Sequence, residues 1–137
     1  MDYEKFKIKV FNNWDIYLNQ NQFPYIGRCY AWARREEADR ISDMNLDERQ
    51  ELFGIIIPHW ENAIKILYGD FRTNISILGN ESPHLHAHLV PRQINKTIYG
   101  VEFKDPNPKG NYAPYEKKEI PLEVLIKIRD DIKKLIS

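Results

Sequence analysis

Apolar and polar residues alternate most strictly between residues 82 and 92, where Leu85 and Ala87 separate His84, His86 and His88, and Leu89-Val90 follow. Period-two alternation predicts a strand, whose successive side chains point to opposite faces. The three histidines then share one face, with neighbours roughly 6.5 Å apart. Leu85, Ala87 and Leu89 take the other face, towards the core. Residues 73–78 also alternate, and Gly79-Asn80-Glu81-Ser82 predicts a tight turn, so the two segments pair as an antiparallel hairpin. Trp14–Leu18 and Cys29–Ala33 predict two more strands, separated by a polar loop that closes at Gly27.

The period changes to that of a helix at Leu52, Ile56, Ala63, Ile64 and Leu67, ending near Gly69. Asn45 followed by Glu48 predicts a capping box at its start. Pro58 falls inside and should kink the helix or remove one backbone hydrogen bond. His59, just after it, reads as a surface histidine. Pro121 opens a last helix, with Leu125, Ile128, Ile132 and Leu135 as its buried stripe. Residues 2–13 predict a short amphipathic helix with Phe6, Val10 and Phe11 on one side, although Ile8 also fits an extended segment. Residues 93–115, centred on Asp105-Pro106-Asn107-Pro108-Lys109-Gly110, predict a long ordered loop or a partner-binding arm. These elements amount to an α+β fold with an antiparallel sheet, one long helix and terminal helices, organised as one domain over residues 1–137.

Composition narrows the class. A chain of 137 residues buries a real core, and its formal charge of zero gives no sign of binding a nucleic acid polymer or an anionic membrane. Lys5, Lys7 and Lys9 break up the N-terminal segment, which has no apolar run of the kind a signal peptide needs. No apolar stretch reaches membrane-spanning length. Cys29 is the only cysteine, which excludes an intramolecular disulfide and a thiolate zinc cluster. A cytoplasmic protein is expected.

Three of the four histidines lie in the alternating stretch. A histidine-rich surface accounts poorly for three in strict alternation. A His-x-His pair on a strand is a good two-ligand unit for zinc or iron. Three histidines on a straight strand span too far to reach one ion, so a metal reading leaves one unexplained. Nucleophilic catalysis uses all three. A neutral imidazole attacks phosphorus near pH 7, a second contacts the phosphate or protonates the leaving group, and a third fixes the nucleophile's tautomer.

The run His84-Leu85-His86-Ala87-His88-Leu89-Val90-Pro91-Arg92, preceded by Leu78-Gly79, resembles the signature of the histidine triad (HIT) family of nucleotide hydrolases and transferases. The likeness extends more weakly from Trp14 to Arg92, and the tail is similar to a subgroup labelled diadenosine tetraphosphate hydrolase. The resemblance implies a sheet of about five strands and a homodimer with a continuous sheet. It implies His86 as the nucleophile that forms a nucleotidyl-histidine, His88 at the phosphate and leaving-group oxygens, and His84 in support of His86. It implies substrate contacts from Asn19 (or Asn21) at the ribose and from Asn74 and Asn80 at phosphate. No metal and no cofactor are implied. Two departures stand out: Gly79-Asn80 replaces the common Gly-Gln, and Ala33-Arg34-Arg35-Glu36 lacks the fourth histidine that many members carry there.

The expected activity is hydrolysis at the α-phosphate, with a dinucleoside polyphosphate as the leading substrate and a nucleoside phosphoramidate second. The alternatives are a nucleotidyl transferase or phosphorylase, a nucleotide-binding regulatory module without turnover, and a metal-dependent enzyme using His84 and His86. Phe11, Trp14 and Ile16 are expected to contact the base. Arg92, Lys109 and Tyr112 are candidates to touch phosphate, although each reads more simply as a solvated loop residue.

Overall fold

The computed structural model describes residues 3–136. Its main sheet takes strands β1 (Lys7–Val10), β2 (Trp14–Leu18), β3 (Cys29–Ala33), β4 (Arg72–Ser76) and β5 (His86–Arg92) in the order β1-β2-β3-β5-β4. Every neighbouring pair is antiparallel. Alternation divides the sheet into two faces. Trp14, Ile16, Leu18, Cys29, Ala31, Leu85, Ala87 and Leu89 are all fully buried on one of them. Helices cover that face through Leu52, Ile56, Trp60 and Ile64 and through Ile128 and Ile132, which complete the core. Among the described residues, these helices leave the histidine face uncovered.

The long helix runs as α1 (Leu46–Glu51), a π turn (Leu52–Ile56) and α2 (Ile57–Tyr68). Its capping box is present: the Glu48 amide donates to Asn45 Oδ1 at 2.9 Å, and the Asn45 amide donates to Glu48 Oε1 at 2.8 Å. Pro58 leaves the helix continuous but follows directly on the π turn, where the Ile57 amide reaches back to the Leu52 carbonyl. A proline lacks the amide that an α ladder needs, and a π turn is one way to re-route the neighbouring bonds. His59 is exposed, as its surface position in the sequence implied.

Gly27 fixes how the sheet meets this helix. Its φ is +90°, and a Cβ there would lie 2.6 Å from Ile64 Cδ1. Its carbonyl accepts from the buried Trp60 indole at 3.1 Å. Only glycine gives both the backbone angle and the close approach.

Several expectations need correction. Tyr3–Phe6 is a short 3₁₀ turn and Lys7–Val10 an edge strand, so the helix predicted over residues 2–13 does not form; Asp2 lies outside the described residues. Phe6 and Ile8 are buried while Val10 is half exposed, which is the two-residue period that Ile8 had signalled. The connection from β4 to β5 spans residues 77–85, so it is a long loop rather than a tight turn. The tail contains a second hairpin, β6 (Asn95–Ile98) with β7 (Val101–Lys104), where a loop was expected. Its turn puts Tyr99 and Gly100 at φ +51° and +77°. In α3 (Leu122–Ile136), Ile136 is buried and Leu135 is 39% exposed, so the stripe leaves Leu135 out. No helix among the described residues is long and apolar enough to cross a membrane.

Candidate active site

Strand register places the functional side chains. In β5, His86 pairs with Trp32 and His88 with Tyr30, and Tyr30 pairs in turn with Tyr17 of β2. On the other side of β5, Ser76 pairs with His88. Residues paired across an antiparallel sheet project to the same face. The open face therefore carries a row of aromatic rings beside a row of histidines. A cleft of about 680 Å³ lies over them, lined by Tyr17, Asn19, Tyr30, Trp32, His86 and His88 from the sheet. Leu78, Gly79, Asn80, Glu81 and Ser82 of the connecting loop form its other wall, with Tyr3 and Glu4 at its rim.

His86 is 9% exposed and its Nδ1 lies 2.6 Å from the carbonyl oxygen of His84. A carbonyl oxygen only accepts, so Nδ1 carries a proton, and the lone pair of the neutral ring lies on Nε2. His84 precedes the strand, and its Nε2 donates to the carbonyl of Ala33 at 2.6 Å. The indole of Trp32 stacks on His84 at 4.4 Å and 17° and on His86 at 5.3 Å and 28°. His88 meets His86 edge-on at 5.1 Å, and its buried Nδ1 has no hydrogen-bond partner. Burial, with the Arg28 guanidinium and His86 as further causes, lowers the His88 pKa to about 4. His88 is therefore neutral at pH 7, a hydrogen-bond donor rather than a ready acid.

The tail closes the end of the face beyond His88. Tyr112 and Ser76 share a hydroxyl hydrogen bond at 3.0 Å, and Arg28 donates to the Tyr115 hydroxyl at 2.6 Å. Arg92 fastens this segment. It donates to both Asp105 oxygens at 2.8 and 3.2 Å, to Asn74 Oδ1 at 3.0 Å, and to the Gly110 and Asn107 carbonyls at 2.9 and 2.6 Å. All five guanidinium N–H groups are used within the protein, which leaves none for a phosphate.

Of the residues singled out in the sequence, the structure brings His86, His88, Asn19 and Asn80 together at the cleft. His84 lies behind, over a smaller hollow with Arg40 and Pro83. Asn74 is on the histidine face but is held by Arg92 and does not line the cleft. Asn19 rather than Asn21 faces it; Asn19 Oδ1 accepts from the Asn21 amide at 2.9 Å, so the Asn19 amide N–H groups remain for a ligand. Trp14 and Ile16 are fully buried on the opposite face and cannot reach a base. Lys109 is exposed. Arg34 and Arg35 point elsewhere, Arg34 to the Phe11 carbonyl at 3.2 Å and Arg35 to Glu48 at 3.0 Å.

Sequence reasoning missed Tyr17, Tyr30 and Trp32. The signal was available: each alternates with the core positions of a strand already identified. Among the described residues, no three His, Cys, Asp or Glu side chains are grouped to hold a metal ion. The reading that uses His84 and His86 as ligands finds no third side-chain ligand among the described residues.

No protein-family model and no curated protein matches the chain. Solved structures do. A histidine triad protein of Bradyrhizobium japonicum, blr8122, is similar at 18% identity over 98% of this chain and 93% of its own, with a TM-score of 0.73. One of Sinorhizobium meliloti, SMc02904, shares 19% identity over 96% of this chain and 91% of its own, at 0.71. The diadenosine triphosphate hydrolase of Plasmodium falciparum shares 13% identity over 99% of this chain and 78% of its own, at 0.66. The chain therefore has the fold of the histidine triad proteins.

Proposed function

We propose that the protein hydrolyses a nucleotide at its α-phosphate through a covalent nucleotidyl-His86 intermediate. The observation that carries this reading is the fixed tautomer of His86, whose Nδ1 proton is committed to the His84 carbonyl while the ring borders the cleft. The Nε2 lone pair forms the N–P bond as the P–O bond to the leaving group breaks and its electrons stay on the leaving oxygen. Water then attacks the same phosphorus and gives up a proton to solvent, the N–P electrons return to Nε2, and the nucleotide leaves. Positioning and charge stabilisation dominate such chemistry.

One feature supports a dinucleoside polyphosphate over a phosphoramidate. A phosphate leaving group departs as a stable anion, because its second pKa is about 6, whereas an amine needs a proton. Neutral His88 donates a hydrogen bond but is poorly suited to deliver that proton. The nucleoside common to both substrates would lie along the cleft beside Tyr30 and the Asn19 amide, which line it.

The test is turnover of diadenosine tetraphosphate and adenosine phosphoramidate by the wild-type protein and His86→Ala. The reading expects the tetraphosphate to be the better substrate and the variant to lose more than about a thousandfold in rate. Repeating the assay with inorganic phosphate separates hydrolysis from phosphorolysis by the product formed. An active His86→Ala protein removes the proposal.

A further inference from the structure

Trp32 is half-buried, lines the cleft and stacks on two histidine rings at once. One of these is the ring assigned as nucleophile. Attack through Nε2 while Nδ1 keeps its proton leaves the imidazole positively charged until the N–P bond breaks again. That charge develops within about 6 Å of an indole face, the range in which a cation and an aromatic ring attract. The ring planes are 28° from parallel with centroids 5.3 Å apart, so His86 lies against the face and not the edge of Trp32. Other charged groups nearby are placed differently: Asp15 pairs with Trp32 from the far side, next to Arg34 at 3.5 Å, and Glu4 and Glu81 sit at the cleft wall. Among the described residues, the indole is the one aromatic face stacked on the His86 ring.

We infer that Trp32 is a charge-stabilising residue for His86, lowering the barrier to adduct formation through its π face. The inference rests on the covalent reading above and assigns Trp32 a part in it. It predicts an asymmetry between the two steps. A weaker π face slows formation of the adduct, in which the ring gains charge. It does not slow breakdown, in which the ring loses charge.

The experiment replaces Trp32 in the full chain with mono-, di- and trifluorotryptophan, which keep its shape and progressively weaken the π face. Adduct formation and decay are followed by rapid quench at saturating diadenosine tetraphosphate. The expected result is a stepwise fall in the formation rate, about three- to tenfold across the series, with decay unchanged or faster. Equal formation rates, a parallel slowing of both steps, or a change confined to KM would overturn the inference. Should the fluorinated chains fail to fold, Trp32→Phe and Trp32→Leu give the same contrast, with formation faster in Phe than in Leu; equal rates overturn it. A wild-type protein that forms no adduct refutes the covalent reading itself, a different result from all of these.

Discussion

His86 is held by the backbone of His84, not by its imidazole: Nδ1 of His86 lies 2.6 Å from the His84 carbonyl oxygen, while the His84 ring donates to Ala33. An alanine at position 84 keeps that carbonyl. The His84 ring contributes through its stack on Trp32 and its bond across to β3. His84→Ala is therefore expected to lose roughly 10- to 100-fold in kcat, against more than about a thousandfold for His86→Ala. Steady-state rates of the two variants check this; equal losses would mean that the His84 ring does the positioning.

His88 makes stability depend on pH. Its pKa falls from 6.5 to about 4 on folding, first through burial and then through Arg28 and His86. Between those values the unfolded chain binds the extra proton, so stability is full above pH 6.5 and declines as pH falls towards 4. The loss is on the order of 1–3 kcal/mol after allowing for the partial exposure of the ring. His88→Gln should flatten this part of the profile in denaturant titrations from pH 7 to 4.

Arg92 and Asp105 are 2% and 1% exposed, and their pairing holds the carboxyl of Asp105 below the usual carboxylate range against the opposing effect of burial. Removing one partner strands the other charge. Asp105→Ala is expected to cost about 3–5 kcal/mol, to loosen the segment that carries Tyr112, and to raise hydrogen exchange there before the rest of the sheet.

Gly27→Ala places a side chain at φ +90° against Ile64. Backbone strain alone costs about 1–3 kcal/mol, and the contact adds to it. The midpoint of urea unfolding should fall accordingly. Gly100→Ala, which also has positive φ but open space around it, should cost less.

Much of this was legible before any coordinates. The histidine strand, β2, β3, the capped helix and the last helix follow from period and caps, because each buries one face against the same core. The second hairpin was hidden because its turn uses Tyr99, a residue that rarely takes positive φ, so no usual turn pair marks it. The edge strand was misread because four residues with one exposed end carry little periodic signal. At the site, the motif points to His86 and His88, which line the cleft, whereas alternation sends Trp14 and Ile16, the expected base contacts, to the core and Tyr17 to the cleft. Asn74 and Arg92 share a face with the histidines, and only tertiary structure reveals that they bind each other.

The proposed chemistry turns on the covalent His86 adduct. Intact-protein mass after rapid quenching without acid, with diadenosine tetraphosphate and the wild-type protein beside His86→Ala, tests it directly. A transient gain of one adenylyl group is expected in the wild type and none in the variant. Steady product release with no adduct at any time, or the same adduct on His86→Ala, would contradict it.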